Sequence, residues 1–180
     1  SGDNGSGMVG VDWRARLMPV RVLGRCGSGS TVDITEGMLW AAGGSIPGVP
    51  ANPTPARVVN LSIGGPGECT TFEQEAFDEA LSRGALVVVS AGNDNDNADG
   101  YSPASCYGAS TVVATDPYGY RASYSNYSAY ADISAPGGDS SRYSETDAVL
   151  STVDASSSAP SGNYDYGWLN GTSMAAPHVA

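Results

Sequence analysis

Hydrophobic residues in the first half of the chain form three short runs whose pattern is typical of β-strands. Residues 16–23 and 58–63 mix apolar with polar positions over strand-like lengths, whereas residues 86–89 are apolar throughout. A strand that is apolar at every position is the kind that a parallel sheet buries on both faces. The pattern therefore predicts three strands, the last of which is buried on both of its faces.

Two helices are predicted between these runs. Ser30 and Asp33 can cap a helix that continues with apolar residues at helical spacing. A second helix is predicted to begin near Thr71, with Gln74 completing its capping box and Gly84 ending it. Each helix thus has a start signal of its own in the sequence.

The order strand, helix, strand, helix, strand predicts a parallel α/β sheet. Shorter strands are predicted in the second half, at residues 111–114, 132–134 and 149–153. No repeat or linker divides the chain, so residues 1–180 are expected to form a single domain. Ligands of such sheets bind beyond the carboxyl ends of the strands, where this chain has small, polar or Gly-rich segments.

The composition agrees with a folded, globular chain. Of the 180 residues, 41% are hydrophobic and 15% are charged, which is enough apolar material for one core. The formal net charge is −11 and all eight basic residues are Arg, so a nucleic acid is not expected as a partner. The longest aliphatic run, residues 85–89, is far shorter than the roughly 20 residues of a membrane span, so no membrane partner is expected.

Three cysteines allow at most one disulfide within the chain. Cys69 and Cys106 both lie in turns rich in Gly, Ser and Pro, where a disulfide is easily placed, whereas Cys26 has no evident partner. We therefore predict a disulfide between Cys69 and Cys106, which would favour an oxidising compartment. Three free thiols are the alternative, because sequence alone does not establish pairing.

The last twelve residues carry the most specific chemistry in the sequence. A turn at Asn170 and Gly171 leads to Ser173 and then to a run of small, helix-compatible residues. The unpaired N–H groups and the positive dipole of a helix start favour negative charge. An oxyanion formed when the Ser173 hydroxyl attacks a carbonyl would therefore be stabilised there. Taken alone, a serine in this position is more often a helix cap than a nucleophile.

Three segments resemble motifs of the subtilisin-like serine peptidases in order and spacing. Residues 169–180, Leu-Asn-Gly-Thr-Ser-Met-Ala-Ala-Pro-His-Val-Ala, are similar to the nucleophile motif, and residues 90–93, Ser-Ala-Gly-Asn, to the oxyanion-hole motif. Residues 58–65, with the core Asn-Leu-Ser-Ile-Gly-Gly, resemble the substrate-binding strand. The resemblance implies a three-layer α/β fold with a mostly parallel sheet, helices on both faces, and both ends incomplete.

The resemblance also implies roles for individual residues. Ser173 would be the nucleophile, and the Asn93 side chain would form the oxyanion hole together with the backbone N–H of Ser173. Two backbone edges would hold an extended peptide between them, and a third segment would line the pocket for the residue before the scissile bond. The two edges are Gly27, Ser28 and Gly29, and Ser62, Ile63 and Gly64. The pocket segment is Ala91 and Gly92.

A catalytic base and its orienting carboxylate have no counterpart in the sequence. The one histidine, His178, lies five residues after Ser173 on the same predicted helix, about 500° further in rotation, so it faces away from the serine. The resemblance implies a structural role for His178. No His-Gly-Thr-His stretch is present and no aspartate lies in the family's Asp motif. We therefore expect a partial peptidase sequence that is inactive on its own.

Clustered oxygen side chains suggest calcium as a further possibility. Residues 93–99 are rich in Asn and Asp, but the twelfth residue counted from Asn95 is not the carboxylate that an EF-hand needs, so a polar turn is favoured. The resemblance adds a possible calcium loop at residues 3–8. The chemistry is expected to need no cofactor and no catalytic metal, and structural calcium is considered only for the complete protein.

The motifs together predict a secreted serine endopeptidase that hydrolyses proteins through an acyl-enzyme on Ser173. The expected partner is a protein or peptide substrate in extended conformation, and the expected state is a monomer. One alternative is a non-catalytic module that keeps the peptide-binding strands and lacks the triad. Another is a structural calcium-binding domain, which a calcium-dependent melting temperature would reveal.

Overall fold

The computed structural model describes Gly5 and residues 7–154 and 164–180. Its helices and longer strands alternate through the first half of the chain, as the sequence pattern predicts. In chain order the elements are α1 (Thr31–Ala41), β1 (Val58–Leu61), β2 (Gly65–Pro66), α2 (Thr71–Ser82), β3 (Leu86–Ser90), β4 (Tyr101–Ser102), β5 (Ala109–Thr115), β6 (Ile133–Pro136), β7 (Val149–Asp154), β8 (Tyr164–Leu169) and α3 (Thr172–Val179). Among the described residues no helix has the length and hydropathy needed to cross a membrane.

Four strands form a parallel sheet in the order β1, β3, β5, β6. Val58 pairs with Leu86 at the start of β1 and β3, and α2 is the crossover that connects these two strands. The pairs β2–β4 and β7–β8 form two separate antiparallel sheets of two strands each. The predicted α/β class with a mostly parallel sheet is therefore confirmed.

Hydrophobic side chains pack on both faces of the parallel sheet. Val87 and Val89 of β3 belong to one core, which they share with Phe77 of α2 and with part of α1. Val88 belongs to a second core, on the opposite face, with Ala175 of α3. Successive residues of a strand point to opposite faces, which explains why this run is apolar at every position. Helices cover both faces, so the predicted three layers are also confirmed.

The N-terminal caps of the first two helices follow the sequence signals, with one shift of register. Ser30 caps α1 as predicted, and its Oγ accepts a hydrogen bond from the Asp33 N–H at 3.1 Å. The capping box of α2 uses Thr70 and Glu73, one residue earlier than the predicted pair. The helix begins at Thr71 as predicted, and Thr70 is its cap because it has the extended backbone that a cap needs.

The strand predicted at residues 16–23 is not formed, so this prediction was wrong. Met18 and Val20 pack against the first core, but none of the described strands pairs with this segment. An apolar pattern reports which side chains become buried. A strand also requires hydrogen bonds to a neighbouring backbone, and a pattern of side chains carries no information about that partner.

One disulfide connects two turns on the side of the sheet that carries α2. The sulfurs of Cys69 and Cys106 are 1.99 Å apart, and 37 positions separate the two residues. Cys69 directly precedes the cap of α2, and Cys106 lies in the turn before β5. Cys26 is exposed and has a free thiol. The pair joined in the structure is the pair proposed from the sequence.

Candidate active site

The carboxyl ends of β1 and β3 meet the first turn of α3 at one edge of the sheet. A cavity of about 360 Å³ lies between these three elements. The predicted site residues that line it are Ser62, Ile63, Gly64, Ala91, Gly92, Asn93 and Ser173. Ser62 and Ser173 are 111 positions apart in the chain, so the tertiary fold brings the two halves of this site together.

The first turn of α3, which carries Ser173, is placed by two glycines that approach each other closely. The Gly171 N–H donates to the Gly137 carbonyl at 3.1 Å. A Cβ added to Gly137 would lie 2.8 Å from the Gly171 carbonyl oxygen, which is too close for any larger residue. The contact between Gly137 and Gly171 therefore fixes the start of α3 against the end of β6.

Ser173 is also tied to the end of β1 by two reciprocal hydrogen bonds. Its hydroxyl donates to the Ser62 carbonyl at 3.2 Å, and the Ser62 hydroxyl donates to the Ser173 carbonyl at 2.8 Å. That carbonyl is open to Ser62 because Pro177, four residues further along α3, has no N–H to complete the helical bond. The Ser173 hydroxyl thus has a defined position beside the cavity.

The orientation of the Asn93 side chain is set by Thr172. The Oδ1 atom of Asn93 accepts hydrogen bonds from the Thr172 N–H at 2.8 Å and from the Thr172 hydroxyl at 2.9 Å. Two donors on one side require the amide oxygen there, so the Nδ2 group faces the other way. This group makes no hydrogen bond within the described part of the chain, and Asn93 lines the cavity beside Ser173. Two N–H donors of one amide are therefore left for a ligand.

A second donor is available on the main chain. The Ser173 N–H lies in the first turn of α3, where backbone amides have no acceptor within the helix. It bonds to no carbonyl among the residues that the structure describes. The positive end of the α3 dipole adds to its attraction for negative charge. A hydroxyl beside two such donors is suited to acyl transfer, in which a carbonyl oxygen becomes an oxyanion.

Thr172 is a site residue that the sequence analysis missed. Its side chain is fully buried and, besides donating to Asn93, it accepts a hydrogen bond from the Gly92 N–H at 3.2 Å. One hydroxyl thus joins the start of α3 to two successive residues after β3. Its position next to Ser173 was the available signal, but a threonine at the start of a helix is usually a cap, and its real partners lie about 80 positions away.

The two predicted peptide-binding edges line a second, neighbouring cavity of about 490 Å³. Its walls include Gly27, Ser28 and Gly29 on one side and Ile63 and Gly64 on the other. The structure thus brings both predicted edges to the same opening. Residues 27–29 have no strand hydrogen bonding, so this side is a loop.

A buried carboxylate lies in the wall of this second cavity. The hydroxyl of Ser102 donates to Glu73, and so do the N–H and the hydroxyl of Thr70, at 2.9 and 2.7 Å. Burial by itself raises the pKa of the Glu73 carboxyl, but the hydrogen bonds from Ser102 and Thr70 outweigh it and lower that pKa below its usual value. Glu73 is therefore a negative charge held within the fold by donors.

His178 does not face Ser173. Its Nδ1 lies 2.8 Å from the carbonyl oxygen of Met174, on its own helix, so it is Nδ1–H that donates there. A base for the Ser173 hydroxyl would need to be within hydrogen-bond reach of it. Since His178 is the one histidine of the 180 residues, a histidine base for Ser173 must come from outside them.

The residues that suggested calcium bond among themselves in the structure. Asp96 Oδ1 accepts from the Asn97 N–H, and the carboxylate of Asp99 accepts from Asn97 and Ser128. Within the described residues, no group of three or more His, Cys, Asp or Glu is arranged to hold a metal ion. These contacts fit the polar turn better than a calcium site. Asp3, Asn4 and Ser6 of the calcium loop suggested at residues 3–8 lie outside the described residues.

The fold and the site together place a serine hydroxyl at a helix start, beside an amide donor and a cavity at the carboxyl edge of a parallel sheet. The model of the subtilase family matches residues 1–180. The chain therefore belongs to the subtilase family, as the sequence motifs indicated.

Relatives of this chain carry the names of proteases. It is 46% identical over 178 residues to an extracellular protease of Xanthomonas campestris pv. campestris, and 47% identical over 178 residues to an extracellular basic protease of Dichelobacter nodosus. Each match covers 99% of this chain, and 29% and 28% of the relatives' own lengths. This chain thus spans less than a third of these curated relatives.

A solved structure has the same fold over almost the whole chain. A protease from Pseudoalteromonas arctica PAMC 21717 superposes with a TM-score of 0.93 and is 50% identical. The match covers 98% of this chain and 52% of the protease. The two proteins are therefore similar in sequence as well as in fold.

Proposed function

We propose that the complete protein is a serine endopeptidase that cleaves proteins through an acyl-enzyme on Ser173. The observation that carries this proposal is the position of the Ser173 hydroxyl beside a cavity that Asn93 also lines, with its Nδ2 group unpaired among the described residues. Membership of the subtilase family and relatives named as proteases support the same activity.

In the proposed reaction, the Ser173 hydroxyl attacks the carbonyl carbon of the scissile peptide. Its proton passes to a histidine from outside residues 1–180, which a carboxylate orients. The carbonyl oxygen becomes an oxyanion that accepts hydrogen bonds from Asn93 Nδ2 and the Ser173 N–H. That histidine then protonates the leaving amine, the C–N bond breaks, and water hydrolyses the remaining ester on Ser173.

The substrate class follows from the two backbone edges beside the site. An extended peptide between residues 27–29 and 62–64 would form hydrogen bonds with main-chain groups. Such bonds do not depend on the peptide's side chains, so polypeptides of many different sequences would bind. Ala91 and Gly92 would line the pocket for the residue before the scissile bond, where their small size leaves room for a large side chain. The net charge of −11 disfavours strongly acidic substrates.

The location and state of the complete protein belong to the same proposal. Two relatives are named extracellular proteases, and the disulfide between Cys69 and Cys106 suits an oxidising compartment, so we place the protein outside the cell. We propose a monomer that needs no cofactor for the chemistry. Structural calcium, if bound, would be held mainly by residues beyond those that the structure describes.

The test of this function is a comparison of the complete protein with its Ser173→Ala variant. The wild type should hydrolyse an unstructured protein and become labelled on Ser173 by a serine-directed phosphonate. The variant should do neither, with kcat lowered about 10⁶-fold, the size of the loss measured for the nucleophile of subtilisin itself. Ser82→Ala, at an exposed serine of α2, is the matched control and should keep full activity.

Two results would contradict the proposal. Hydrolysis that persists in Ser173→Ala would show that another group is the nucleophile. Saturable peptide binding by the wild type, without phosphonate labelling or hydrolysis, would instead identify a non-catalytic peptide-binding module.

A further inference from the structure

A single buried amide side chain contacts both sides of the loop that carries Asn93. The side chain of Asn126 is fully buried. Its Nδ2 donates to the Ala91 carbonyl at 3.0 Å, and its Oδ1 accepts from the N–H groups of Asp94 and Asp96 at 2.8 and 3.0 Å. These contacts lie before and after Asn93 in the chain. Asn126 itself is about 30 positions away in sequence.

The main chain of Asn126 adds a fourth contact on the same loop. Its N–H donates to the Gly92 carbonyl at 3.0 Å. A Cβ added to Gly92 would lie 2.3 Å from Asn126 Nδ2, so the glycine is what allows this close approach. The backbone at Gly92 therefore packs directly against the Asn126 side chain, and no space remains there for a larger residue.

The contacts of Asn126 differ from those of Thr172 in what they fix. Thr172 bonds to the Asn93 side chain and so sets the direction of its Nδ2 group. Asn126 makes no hydrogen bond to the Asn93 side chain and holds the backbone on either side of it. An amide donor acts on an oxyanion only if its backbone is in place as well as its side chain, because displacements of about 1 Å can cost as much as 100-fold in rate.

We propose that Asn126 is a positioning residue for catalysis, which places Asn93 for donation to the oxyanion by fixing the backbone on both sides of it. The proposal rests on the function proposed above for Ser173 and Asn93. Asn126 touches no substrate atom and acts through Asn93. Without its side chain, the Ala91 carbonyl and the Asp94 and Asp96 amides lose their partners, and the loop settles in another conformation.

The test is a double-mutant cycle in the complete protein, with kcat calculated per active site by phosphonate titration. Asn93→Ala should lower kcat about 10²–10³-fold, the loss measured for the corresponding donor of subtilisin itself. Asn126→Ala should lower kcat about 10- to 100-fold, with a smaller change in KM, because a donor to the oxyanion acts in the transition state. In the Asn93→Ala background, Asn126→Ala should change kcat by less than about twofold, because the donor it positions is gone.

A second buried asparagine provides the matched control. Asn52 is also buried, and it bonds in a similar way, with Nδ2 on the Ala41 carbonyl at 3.1 Å and Oδ1 on the Thr54 N–H at 2.9 Å. It lies in the loop after α1, where it bonds to the last carbonyls of that helix, and it does not line the cavity beside Ser173. Asn52→Ala should lower the melting temperature, as Asn126→Ala does, and leave kcat unchanged.

Asn126→Asp is the second variant, should Asn126→Ala fail to accumulate in folded form. It keeps the shape of the side chain and the bonds from the Asp94 and Asp96 amides, and it replaces the Nδ2 donor to Ala91 with a carboxyl oxygen. Its kcat should fall, and the fall should again vanish in the Asn93→Ala background.

The proposal is overturned if an Asn126 variant lowers kcat by the same factor in both backgrounds, or if Asn52→Ala lowers kcat as much as Asn126→Ala. Either result would show that Asn126 supports the fold in general and does not act through Asn93. Failure of the proposed function is a separate outcome, because it would appear in Ser173→Ala, whatever the result for Asn126.

Discussion

At the scale of the residue, the site depends on polar groups whose partners are supplied by distant parts of the chain. The carbonyl of Ser173 is open because of Pro177 and is taken by Ser62. The amide of Asn93 is turned by Thr172. In each case a buried or half-buried polar atom needs a partner, and the partner that the fold brings within reach fixes its direction. The hydrogen bonds of these side chains thus determine how the groups of the site are oriented.

Gly92 is a residue where a small change should have a large effect. Its φ of +103° disfavours any L side chain, and a Cβ would meet Asn126 Nδ2 at 2.3 Å. Gly92→Ala should therefore lower the free energy of unfolding by about 2–4 kcal/mol, from backbone strain together with overpacking. Gly100→Ala is the control, because a Cβ there meets nothing within 4 Å, and it should change stability by less than about 1 kcal/mol.

Both glycine variants are best compared by urea denaturation in a Ser173→Ala background, which removes digestion of the protein by itself. Equal midpoints for Gly92→Ala and Gly100→Ala would show that the contact between Gly92 and Asn126 is less tight than the structure indicates.

At the scale of the element, local signals decide where a helix begins, and tertiary contacts decide what the helix carries. Ser30 and Thr70 cap α1 and α2 through bonds to residues three positions further on. The N-cap of α3, Gly171, makes no side-chain capping bond. The first turn is held instead by the Asn93 side chain, which accepts from the Thr172 N–H, and by the bond from Gly171 to Gly137. The helix without a local cap is thus the one that leaves the Ser173 N–H without an acceptor among the described residues.

The cap of α2 gives a prediction at this scale. Thr70→Ala removes the hydroxyl that accepts from the Glu73 N–H, and it also removes one donor to the Glu73 carboxylate. The free energy of unfolding should fall by about 1–2 kcal/mol. Thr71→Ala is the matched control, because this exposed neighbour makes no capping bond, and its effect should stay within about 0.5 kcal/mol. The measurement is the denaturation midpoint of each variant. Equal midpoints would contradict the assignment of Thr70 as the cap.

At the scale of the whole molecule, one sheet with two cores brings three distant segments to a common edge. The carboxyl ends of β1 and β3 are neighbours because the strands are parallel. The helix α3 packs on the face of the sheet opposite to α1 and α2, where it forms the second core, and its first turn reaches these strand ends. Tyr124 connects this core to the site edge, since its hydroxyl shares its one proton between the carbonyls of Gly137 and Gly138, at 2.8 and 2.7 Å. The stability of the molecule and the geometry of the site are therefore linked.

Tyr124 gives a prediction about alkaline stability. Burial, together with the charge of Asp139, raises the pKa of its hydroxyl to about 12, although a hydrogen bond with the Gly171 backbone opposes the rise. In the unfolded chain the same hydroxyl titrates near 10, so between pH 10 and 12 the folded protein binds more protons than the unfolded one. Stability contributed by the neutral hydroxyl is therefore complete below pH 10 and is lost as the pH rises through 12.

The measurement is the melting temperature from pH 7 to pH 12 in the Ser173→Ala background. Tyr124→Phe should melt lower than its parent at pH 7, because the hydrogen bonds to Gly137 and Gly138 are lost, and this difference should shrink above pH 10. Tyr120→Phe, at a tyrosine that is 68% exposed, should keep the alkaline slope of the parent. A difference for Tyr124→Phe that stays constant up to pH 12 would contradict the linkage.

Much of this protein is determined by its sequence alone, because the signals concerned are local or are specific motifs. The apolar run at residues 86–89, the cap at Ser30 and the glycine at Gly84 predict elements from contacts within a few residues. The motifs around Asn93 and Ser173 identified the family, and their residues do line one cavity. Spacing and residue type are sufficient where the interaction partner is close in the chain.

The tertiary structure alone decided the rest. The segment 16–23 has a strand-like pattern and no strand partner, and no local signal reports whether a neighbouring backbone is available. Thr172 and Asn126 received no role from the sequence, because their hydrogen-bond partners lie about 30 to 80 positions away. A side chain of ordinary type becomes part of a site only when folding buries it beside groups that it must satisfy, and that pairing is a property of the packed molecule.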